Sequence, residues 1–383
     1  MEYREVCGEK ISLLGMGNMR LPVVDGNKEV VDKEKASAII DLVYRSGVNY
    51  FDTAYMYHGG KSELYLGEAL TKYPRESYFL ADKMPGMFIK EGEGKERVAQ
   101  IFEEQLSRCR TEYFDFYLLH NLSARTKPVY QNSDLDIVGY LLEQKRLGRI
   151  RHLGFSSHAT PEVLEEFIDS FPKDTFEFVQ IQLNYLDWKL QRADEQFRII
   201  TSRGLPVWVM EPCRGGRLAS LCPEADEILK DAAPDRSVAS WAFRYVGSMK
   251  EVGVILSGMT EYFQAEDNLS TFGKFDPLTD DERSTLDRAA DMLLAKVRVP
   301  CTGCRYCAVC PLGIDIPKVL ECYNEYKLSN GPYELRPLMR LPEGQRPGDC
   351  LGCGACESVC PQNINVPAIM AESAEVLAQF ETK

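Results

Sequence analysis

Eight of the 13 cysteines of this chain stand in two short runs near its C-terminal end. The first run reads CTGCRYCAVCP over residues 301–311, and the second reads CLGCGACESVCP over residues 350–361. Cysteine thiolates bind metals, and a tight turn can aim closely spaced thiolates at one centre. We therefore interpret as metal ligands Cys301, Cys304, Cys307, Cys310, Cys350, Cys353, Cys356 and Cys360.

The second run has the C-x₂-C-x₂-C-x₃-C-P spacing and resembles bacterial ferredoxins; the first run differs by one residue in its last gap. In two-cluster ferredoxins, the last cysteine of each run binds the cluster of the other run. The resemblance therefore implies two 4Fe-4S clusters. One is bound by Cys301, Cys304, Cys307 and Cys360, and the other by Cys350, Cys353, Cys356 and Cys310. Structural zinc is the alternative, although zinc motifs usually present pairs of cysteines.

Four ionisable side chains follow predicted strands in the first third of the chain. Asp52, Lys83 and His120 stand at the ends of VNYFDTA (48–54), SYFLADKM (77–84) and YFDFYLLH (113–120), and Tyr57 follows the first of these segments. Because chemistry in a parallel barrel takes place where the strands end, we expect the four to lie together. Taken singly, Asp52 could cap a helix, Lys83 could form an ion pair at the rim, and His120 could be a buried histidine. Taken together, the four residues favour a catalytic site.

FDTA-x₂-Y, a strand-end lysine and LLH, in that order, resemble the aldo-keto reductases, and the resemblance covers about residues 5–275. It implies a barrel oxidoreductase that binds a nicotinamide dinucleotide without a Rossmann motif. It also implies that Tyr57 is the general acid, that the Lys83 ammonium lowers the pKa of Tyr57, and that Asp52 fixes Lys83. His120 would then donate the hydrogen bond that orients a substrate carbonyl.

The same resemblance implies where the dinucleotide binds. Candidates for the nicotinamide amide are Ser156 and Ser157 in GFSS, and Gln180 in VQIQLN with Gln182 as the alternative. In EPCRGGRL, Glu211 would face the nicotinamide, Gly215 and Gly216 would approach the pyrophosphate, and Arg214 or Arg217 would add charge. In SGMTEYFQAEDN, Asp267 and Asn268 align with adenine contacts.

The sequence departs from the family pattern in two places, and each departure leads to an expectation. Gly258 and Gln264 align with basic residues that relatives use for a 2′-phosphate, so NAD(H) should bind at least as readily as NADP(H). His58 stands where a glycine commonly follows the tyrosine, and it is either a second proton donor or a rim histidine without a role.

Short β-rich segments alternate with helical ones over residues 1–260. The other predicted strands are 13–19, 150–157, 176–184, 205–212 and 251–258, and they have few polar residues, as strands buried on both faces of a parallel sheet do. Helices are predicted over 35–47 and 138–149, with Gly47 and Gly148 as stops. The count of eight predicts a (β/α)₈ TIM barrel over 1–295. A doubly wound sheet is less suitable, since no GxGxxG follows an early strand.

A smaller, mainly helical dicluster ferredoxin-like domain is predicted over residues 296–383. It contains an internal repeat, in which CPLGIDIPKVL (310–320) matches CPQNINVPAIM (360–370). Each copy should lead from a cluster ligand into a helix that begins near the proline.

Bulk composition limits the partners. The 383 residues carry a net charge of −13, which argues against nucleic acid and an anionic membrane surface. No apolar segment approaches the ~20 residues of a membrane span, and MEYREVCGEK has no signal-peptide character. We therefore expect a cytoplasmic protein, in which cysteines stay reduced.

Together these features predict an iron–sulfur oxidoreductase. It would act on a small-molecule carbonyl, alcohol or related unsaturated substrate, coupled to NAD(H) or NADP(H), or to one-electron transfer through the clusters. Two alternatives stay open. The chain is an electron-transfer or cofactor-sensing module that serves a ferredoxin or another redox protein, or it holds a flavin that converts hydride into single electrons.

Overall fold

The computed structural model describes residues 1–27, 29–90, 92–296, 299–301, 306–329, 332–360 and 364–381. The chain divides into two compact units. The first comprises Met1–Ala219 and Asp235–Arg283, and the second comprises Ser220–Pro234 and Ser284–Lys383. In the described part of the chain, no helix is both long and apolar enough to cross a membrane.

Eight parallel strands form a closed barrel in the first unit, and each pairs with the next along the chain until the last pairs with the first. This confirms the predicted (β/α)₈ fold. An antiparallel hairpin that was not predicted precedes it, formed by β1 (Tyr3–Val6) and β2 (Glu9–Ser12). The barrel strands are β3 (Leu14–Gly17), β4 (Tyr50–Asp52), β5 (Phe79–Met84), β6 (Phe114–Leu122), β7 (Ile150–Ser157), β8 (Val179–Gln182), β9 (Val207–Met210) and β10 (Val252–Ser257).

Helices alternate with the barrel strands. In the first unit they are Lys33–Arg45, Ser62–Leu70, Lys95–Cys109, Lys127–Tyr130, Ile137–Arg146, Pro161–Asp169, Asp187–Leu190, Ala193–Thr201, Val238–Gly247 and Tyr262–Gly273. The helix Asp280–Lys296 continues into the second unit, whose other helices are Pro223–Ala232, Ile316–Ser329, Arg336–Met339, Ala355–Ser358 and Val366–Glu381. Short 3₁₀ helices are Asn18–Arg20, Val24–Gly26, Tyr57–Gly60, Arg75–Ser77, Gly86–Phe88, Arg214–Ala219, Tyr306–Val309, Pro332–Leu335 and Pro347–Asp349.

The helix Lys33–Arg45 shows how local sequence sets these elements. Its carboxylate cap, Asp32, accepts a hydrogen bond from the backbone N–H of Lys35 at 3.2 Å. Ile39, Ile40 and Val43 recur at helical spacing and are buried. The helix ends just before Gly47, whose φ of 95° is the left-handed conformation that glycine adopts without strain.

Aromatic side chains fill the barrel. The rings of Phe178 and Trp208 lie 4.5 Å apart, those of Phe116 and Trp208 5.6 Å apart, and those of Tyr50 and Phe116 5.3 Å apart. All four residues are fully buried in one cluster. Such close packing makes a rigid interior, which fixes the strand ends that carry the polar side chains.

The sequence repeat of the second unit is also a structural repeat. The N–H of Ile316 donates to the carbonyl of Ile314 at 2.8 Å, and the N–H of Val366 donates to that of Ile364 at the same distance. The next helix follows in each copy, capped by Asp315 in one and Asn365 in the other. The two copies pack into one apolar core.

Candidate active site and cysteine pocket

Asp52, Tyr57, Lys83 and His120 lie together where β4, β5 and β6 end. The buried Lys83 ammonium donates to Oδ1 of Asp52 at 2.6 Å and to the carbonyl oxygen of Thr53 at 2.7 Å. It lies 5.1 Å from the centre of the Tyr57 ring. On the other side, the rings of Tyr57 and His120 are 5.9 Å apart and nearly perpendicular. The structure thus brings together the four residues that the sequence singles out.

The charge state of the four groups follows from burial and from one ion pair. Burial opposes the charge of Lys83, but the Asp52 carboxylate and the Tyr57 phenol prevail and raise the pKa of Lys83 above its usual value. Burial raises the pKa of Tyr57, and the nearby Lys83 ammonium offsets that rise only in part. The Lys83 ammonium thus lowers the pKa of Tyr57 as expected, but desolvation is the larger effect, so the pKa of Tyr57 lies above its ordinary value.

His120 is a neutral imidazole in this environment. Burial, together with the positive charges of Lys83 and His158, lowers the pKa of His120 well below its usual value. Its Nδ1 atom is buried and has no hydrogen-bond partner among the described groups. A buried polar atom without a partner is costly, so it is available to a bound molecule.

A cleft of about 1310 Å³ opens where β9 and β10 end. Seven of the residues proposed for dinucleotide binding line it, namely Glu211, Gly215, Gly216, Gly258, Gln264, Asp267 and Asn268. Gly215 and Gly216 have φ values of 69° and 96°. The N–H of Gly216 donates to the carbonyl oxygen of Cys213 at 2.9 Å, and the lack of side chains at the two glycines leaves room for a ligand beside this turn.

Four cysteines line a second, small apolar pocket of about 380 Å³, which lies within the second unit. They are Cys310, Cys350, Cys353 and Cys356, the set implied by exchange of the last ligand between the two runs. Among the described residues, no three His, Cys, Asp or Glu side chains are gathered closely enough for a single metal ion. Four thiols around one pocket are a set from which a cubane could take one cysteine at each iron.

Comparison with known proteins identifies both parts of the chain. A model of the aldo/keto reductase family matches residues 13–291, which is more than half of the chain. The chain belongs to the aldo/keto reductase family. A model of the 4Fe-4S dicluster domain matches residues 300–364, so the C-terminal part of this aldo/keto reductase is a dicluster domain and not a zinc module.

Individual relatives match the barrel part of this aldo/keto reductase at low identity. The oxidoreductase YqkF of Bacillus subtilis is 25% identical over 286 residues, which cover 68% of this chain and 86% of the relative. L-galactose dehydrogenase of Arabidopsis thaliana is 26% identical over 296 residues, which cover 72% and 89%. The holo form of an aldo-keto reductase from Bacillus halodurans superposes with a TM-score of 0.61 at 27% identity, covering 76% of this chain and 96% of that one.

Several side chains proposed for the dinucleotide do not line the cleft of this aldo/keto reductase. Oγ of Ser156 accepts the N–H of Asn121 at 2.8 Å, and Oγ of Ser157 accepts that of Ala159 at 3.1 Å. Nε of Arg214 donates to the buried Asp187 at 3.1 Å. These contacts are within the protein, so the structure gives no support for a direct role of Arg214 at a phosphate.

The two glutamine candidates for the nicotinamide amide differ in the hydrogen bonds that their side chains already make within the protein. The amide of Gln182 already donates to Asp187 at 2.7 Å. Oε1 of Gln180 is buried and has no partner among the described groups. Gln180 therefore fits a ligand amide better than Gln182 does.

An ion pair that the sequence analysis missed crosses the cleft. Nη2 of Arg20 lies 2.7 Å from Oε1 of Glu211, and the carbonyl oxygen of Arg20 accepts from Oγ1 of Thr260 at 2.9 Å. Among the described residues that line the cleft, Arg20 is the single cation. Its position after β3, at the face where all barrel strands end, is the signal that would have identified it.

The end of the cleft that includes Gln264, Asp267 and Asn268 is held by contacts within the protein. Oε1 of Gln264 accepts the backbone N–H groups of Thr260 and Glu261 at 2.8 and 3.1 Å, which caps the helix Tyr262–Gly273. Ser237 donates to Asp267 at 2.7 Å, and Asn268 donates to Ser257 at 2.9 Å. The shape of this part of the cleft thus does not depend on a bound molecule.

The other two sequence expectations concern His58 and the first cluster. Nε2 of His58 accepts the N–H of Leu21 at 3.0 Å, so this nitrogen is not a proton donor. Cys301, Cys307 and Cys360 pack against the apolar core of the second unit. Cys304, the fourth member of that set, lies outside the described residues.

Proposed function

We propose that this aldo/keto reductase reduces a carbonyl group of a small molecule with NAD(H) or NADP(H), and oxidises the alcohol in the reverse direction. One observation carries the proposal. The Tyr57 ring is held between the Lys83 ammonium and the His120 ring, and Lys83 is itself held by Asp52. A phenol beside a buried cation is suited to giving up a proton during a reaction.

A bound dihydronicotinamide supplies a hydride, and so two electrons, to the carbonyl carbon. The carbonyl oxygen then takes the proton of the Tyr57 hydroxyl, which yields the alcohol and leaves a phenolate. The Lys83 ammonium stabilises that phenolate, and Asp52 keeps the ammonium in place. Neutral His120 can donate a hydrogen bond to the same oxygen and so orient the carbonyl.

The cleft at the ends of β9 and β10 supports a dinucleotide as the hydride donor. Its volume, its paired glycines and its preformed adenine end fit an extended molecule with a pyrophosphate. Gly258 and Gln264 offer no positive charge there, which favours NAD(H) or leaves the two dinucleotides equal. The Gln180 amide oxygen is free for the nicotinamide amide.

We also infer that the two clusters take part in electron transfer. A hydride carries two electrons, whereas each 4Fe-4S cluster passes one. The pocket formed by Cys310 with Cys350, Cys353 and Cys356 supports ligand exchange between the runs. A ferredoxin or another small redox protein is the partner that such a domain would serve.

An anaerobic experiment separates these routes. The holoprotein is incubated with a panel of aldehydes and ketones, first with NADH or NADPH, and then with chemically reduced clusters and no dinucleotide. Dinucleotide oxidation that needs a carbonyl and is lost in Tyr57→Phe supports the reductase. Cluster reoxidation by substrate alone supports a direct one-electron route, and reoxidation only after a flavin is added supports a flavin route. Dinucleotide binding without any turnover would contradict the reductase proposal and would favour a cofactor-sensing module.

A further inference from the structure

A buried pair of carboxyl groups lies directly behind Lys83, and the proposed chemistry gives it no role. Asp82 precedes Lys83 on β5, and Glu63 lies in the first turn of the helix Ser62–Leu70. Neither residue has exposed surface, and the charge of Glu63 acts on the Asp82 carboxyl. Two buried carboxyl groups that interact in this way avoid repulsion only when one of them carries a proton.

The two nearby cations form their ion pairs with Glu63 and with Asp52, and not with Asp82. Nη1 of Arg108 donates to Oε2 of Glu63 at 3.0 Å, and the Lys83 ammonium is bound by Asp52. Among the ion pairs of the described residues, none includes Asp82. Removing an unpaired carboxylate from water costs several kcal/mol, so the proton belongs on Asp82 while Glu63 keeps its charge.

Groups from the neighbouring elements face the pair, and among them the Lys83 N–H and the Lys83 charge lower the pKa of Asp82, although burial and the Glu63 charge outweigh them. They are Lys83 on β5, Tyr117 on β6, and Gln105, Arg108 and Cys109 on the helix Lys95–Cys109. The Cys109 thiol donates to Oδ2 of Asp82 at 3.6 Å, and the Tyr117 hydroxyl donates to Oε1 of Gln105. Burial raises the pKa of both the thiol and the phenol, so both stay neutral. Burial and then the Glu63 charge raise the pKa of Asp82 well above its usual value.

The same network holds the backbone of Lys83. Its N–H donates to Oδ1 of Asp82 at 2.8 Å, and its carbonyl oxygen accepts from Nε2 of Gln105 at 3.0 Å. That amide also donates to Oε1 of Glu63 at 3.0 Å. The peptide that carries the ammonium is therefore tied on both sides to the carboxyl pair.

We propose that Asp82 keeps a proton at neutral pH, shares it with Glu63, and acts as a positioning residue that fixes Lys83 against Asp52. The catalytic part of this inference rests on the proposed function, because the place of Lys83 matters to turnover only if Tyr57 is the acid. Ionised Asp82 would put a second negative charge near Tyr57 and make the phenol a weaker acid.

The proton itself is tested by infrared spectroscopy of the full holoprotein at pH 7. We expect a carbonyl-stretching band of a protonated carboxylic acid that disappears in Asp82→Asn. Glu68→Gln is the matched control, since Glu68 lies on the same helix as Glu63 but is exposed and paired with Lys33; the band should remain. A wild-type spectrum without an Asp82-dependent band overturns the proposal, whatever the enzymatic activity.

The positioning role is tested by comparing Asp82→Ala with Asp82→Asn. An asparagine amide accepts the Lys83 N–H and donates to Glu63, as a protonated carboxyl does, whereas alanine does neither. We expect Asp82→Ala to lower kcat by about tenfold to a hundredfold at unchanged KM for the dinucleotide, and asparagine to recover most of that loss. Equal losses in both variants would show that Asp82 works as an anion and would overturn the proposal. If the wild-type protein has no reductase activity, the proposed function is refuted. The infrared band still shows whether Asp82 carries a proton.

Discussion

The ammonium of Lys83 donates a 2.6 Å hydrogen bond to Oδ1 of Asp52, and the two side chains are 0% and 3% exposed. A cation this deeply buried depends on its partner, because water cannot replace the carboxylate. Lys83 in turn faces the Tyr57 ring, so the ion pair links the interior of the barrel to the proposed acid.

The first prediction concerns this ion pair. Asp52→Asn leaves the Lys83 charge without a counterion, and should lower the free energy of unfolding by about 3 kcal/mol or more. Carbonyl reduction should fall by about 10²–10⁴-fold, since the ammonium is then no longer fixed beside Tyr57. Denaturant unfolding and steady-state kinetics measure the two effects. The double variant Asp52→Asn, Lys83→Met removes both charges and should recover stability without recovering activity; an active double variant would contradict the assignment.

The second prediction is a pH profile for carbonyl reduction. The reaction needs protonated Tyr57 and, since burial raises the pKa of Tyr57, the phenol keeps its proton until strongly alkaline pH. Because the pKa of His120 is lowered, this imidazole gains a charge only under acidic conditions. We expect kcat/KM to be level between about pH 6 and pH 9. A titration step near the ordinary pKa of histidine, absent in His120→Gln, would show that His120 is not neutral in the free enzyme.

The third prediction tests ligand exchange between the cysteine runs. The anaerobic protein should contain about eight irons and eight acid-labile sulfides per chain, and Cys360→Ser should lose about four of each. Adding Cys301→Ser to Cys360→Ser should lose no further iron, because Cys301 and Cys360 are expected to bind the same cluster. Adding Cys350→Ser should remove the rest. Cys322→Ala, at a cysteine outside the two runs, is the control that should keep full iron content. Ligand exchange would be refuted if Cys301→Ser removed the remaining iron from the Cys360→Ser protein and Cys350→Ser removed none.

The fourth prediction concerns the choice of dinucleotide. Gly258 carries no side chain and the Gln264 amide is engaged in capping its helix, so neither offers charge to a 2′-phosphate. NADH should bind at least as tightly as NADPH in a fluorescence titration. NADPH binding tighter by a hundredfold, roughly 2.7 kcal/mol, would decide against it. Arg20→Gln removes the single cation that lines the described cleft and should weaken both dinucleotides by similar factors.

The fifth prediction concerns barrel stability at low pH. Arg244 is fully buried and donates to both carboxylate oxygens of Glu282, at 2.6 and 2.7 Å, which lowers the pKa of Glu282 to about 2. A carboxyl with a lowered pKa stabilises the folded state above its unfolded-state pKa, and this contribution is lost as the pH falls towards 2. Glu282→Gln should therefore cost about 2 kcal/mol at pH 7 and progressively less below about pH 4. Glu143→Gln removes an exposed pair with Arg146 and should change stability little at any pH. Equal losses for Glu282→Gln at pH 7 and pH 3 would contradict the linkage.

The sequence alone was sufficient to locate the barrel strands and to group the candidate site residues. Buried strands and amphipathic helices have local signatures, and these placed all eight barrel strands within a few residues of where they lie. Asp52, Lys83 and His120 could be grouped because parallel strands of one barrel all end at the same face. The cysteine runs could be interpreted because their spacing is a local property, and Cys310 does lie with Cys350, Cys353 and Cys356.

Only the tertiary structure decided what depends on distant contacts and on burial. Arg20 and Glu211 are 191 positions apart and meet because the closed barrel brings the loops after β3 and β9 to one cleft. Arg214 was expected at a phosphate, but it lies against Asp187. The pKa of Tyr57 is raised because desolvation outweighs one nearby cation, and desolvation depends on every residue packed around the phenol. The proton that we propose for Asp82 also depends on the tertiary structure, since no local pattern shows that Asp82 and Glu63 are buried together.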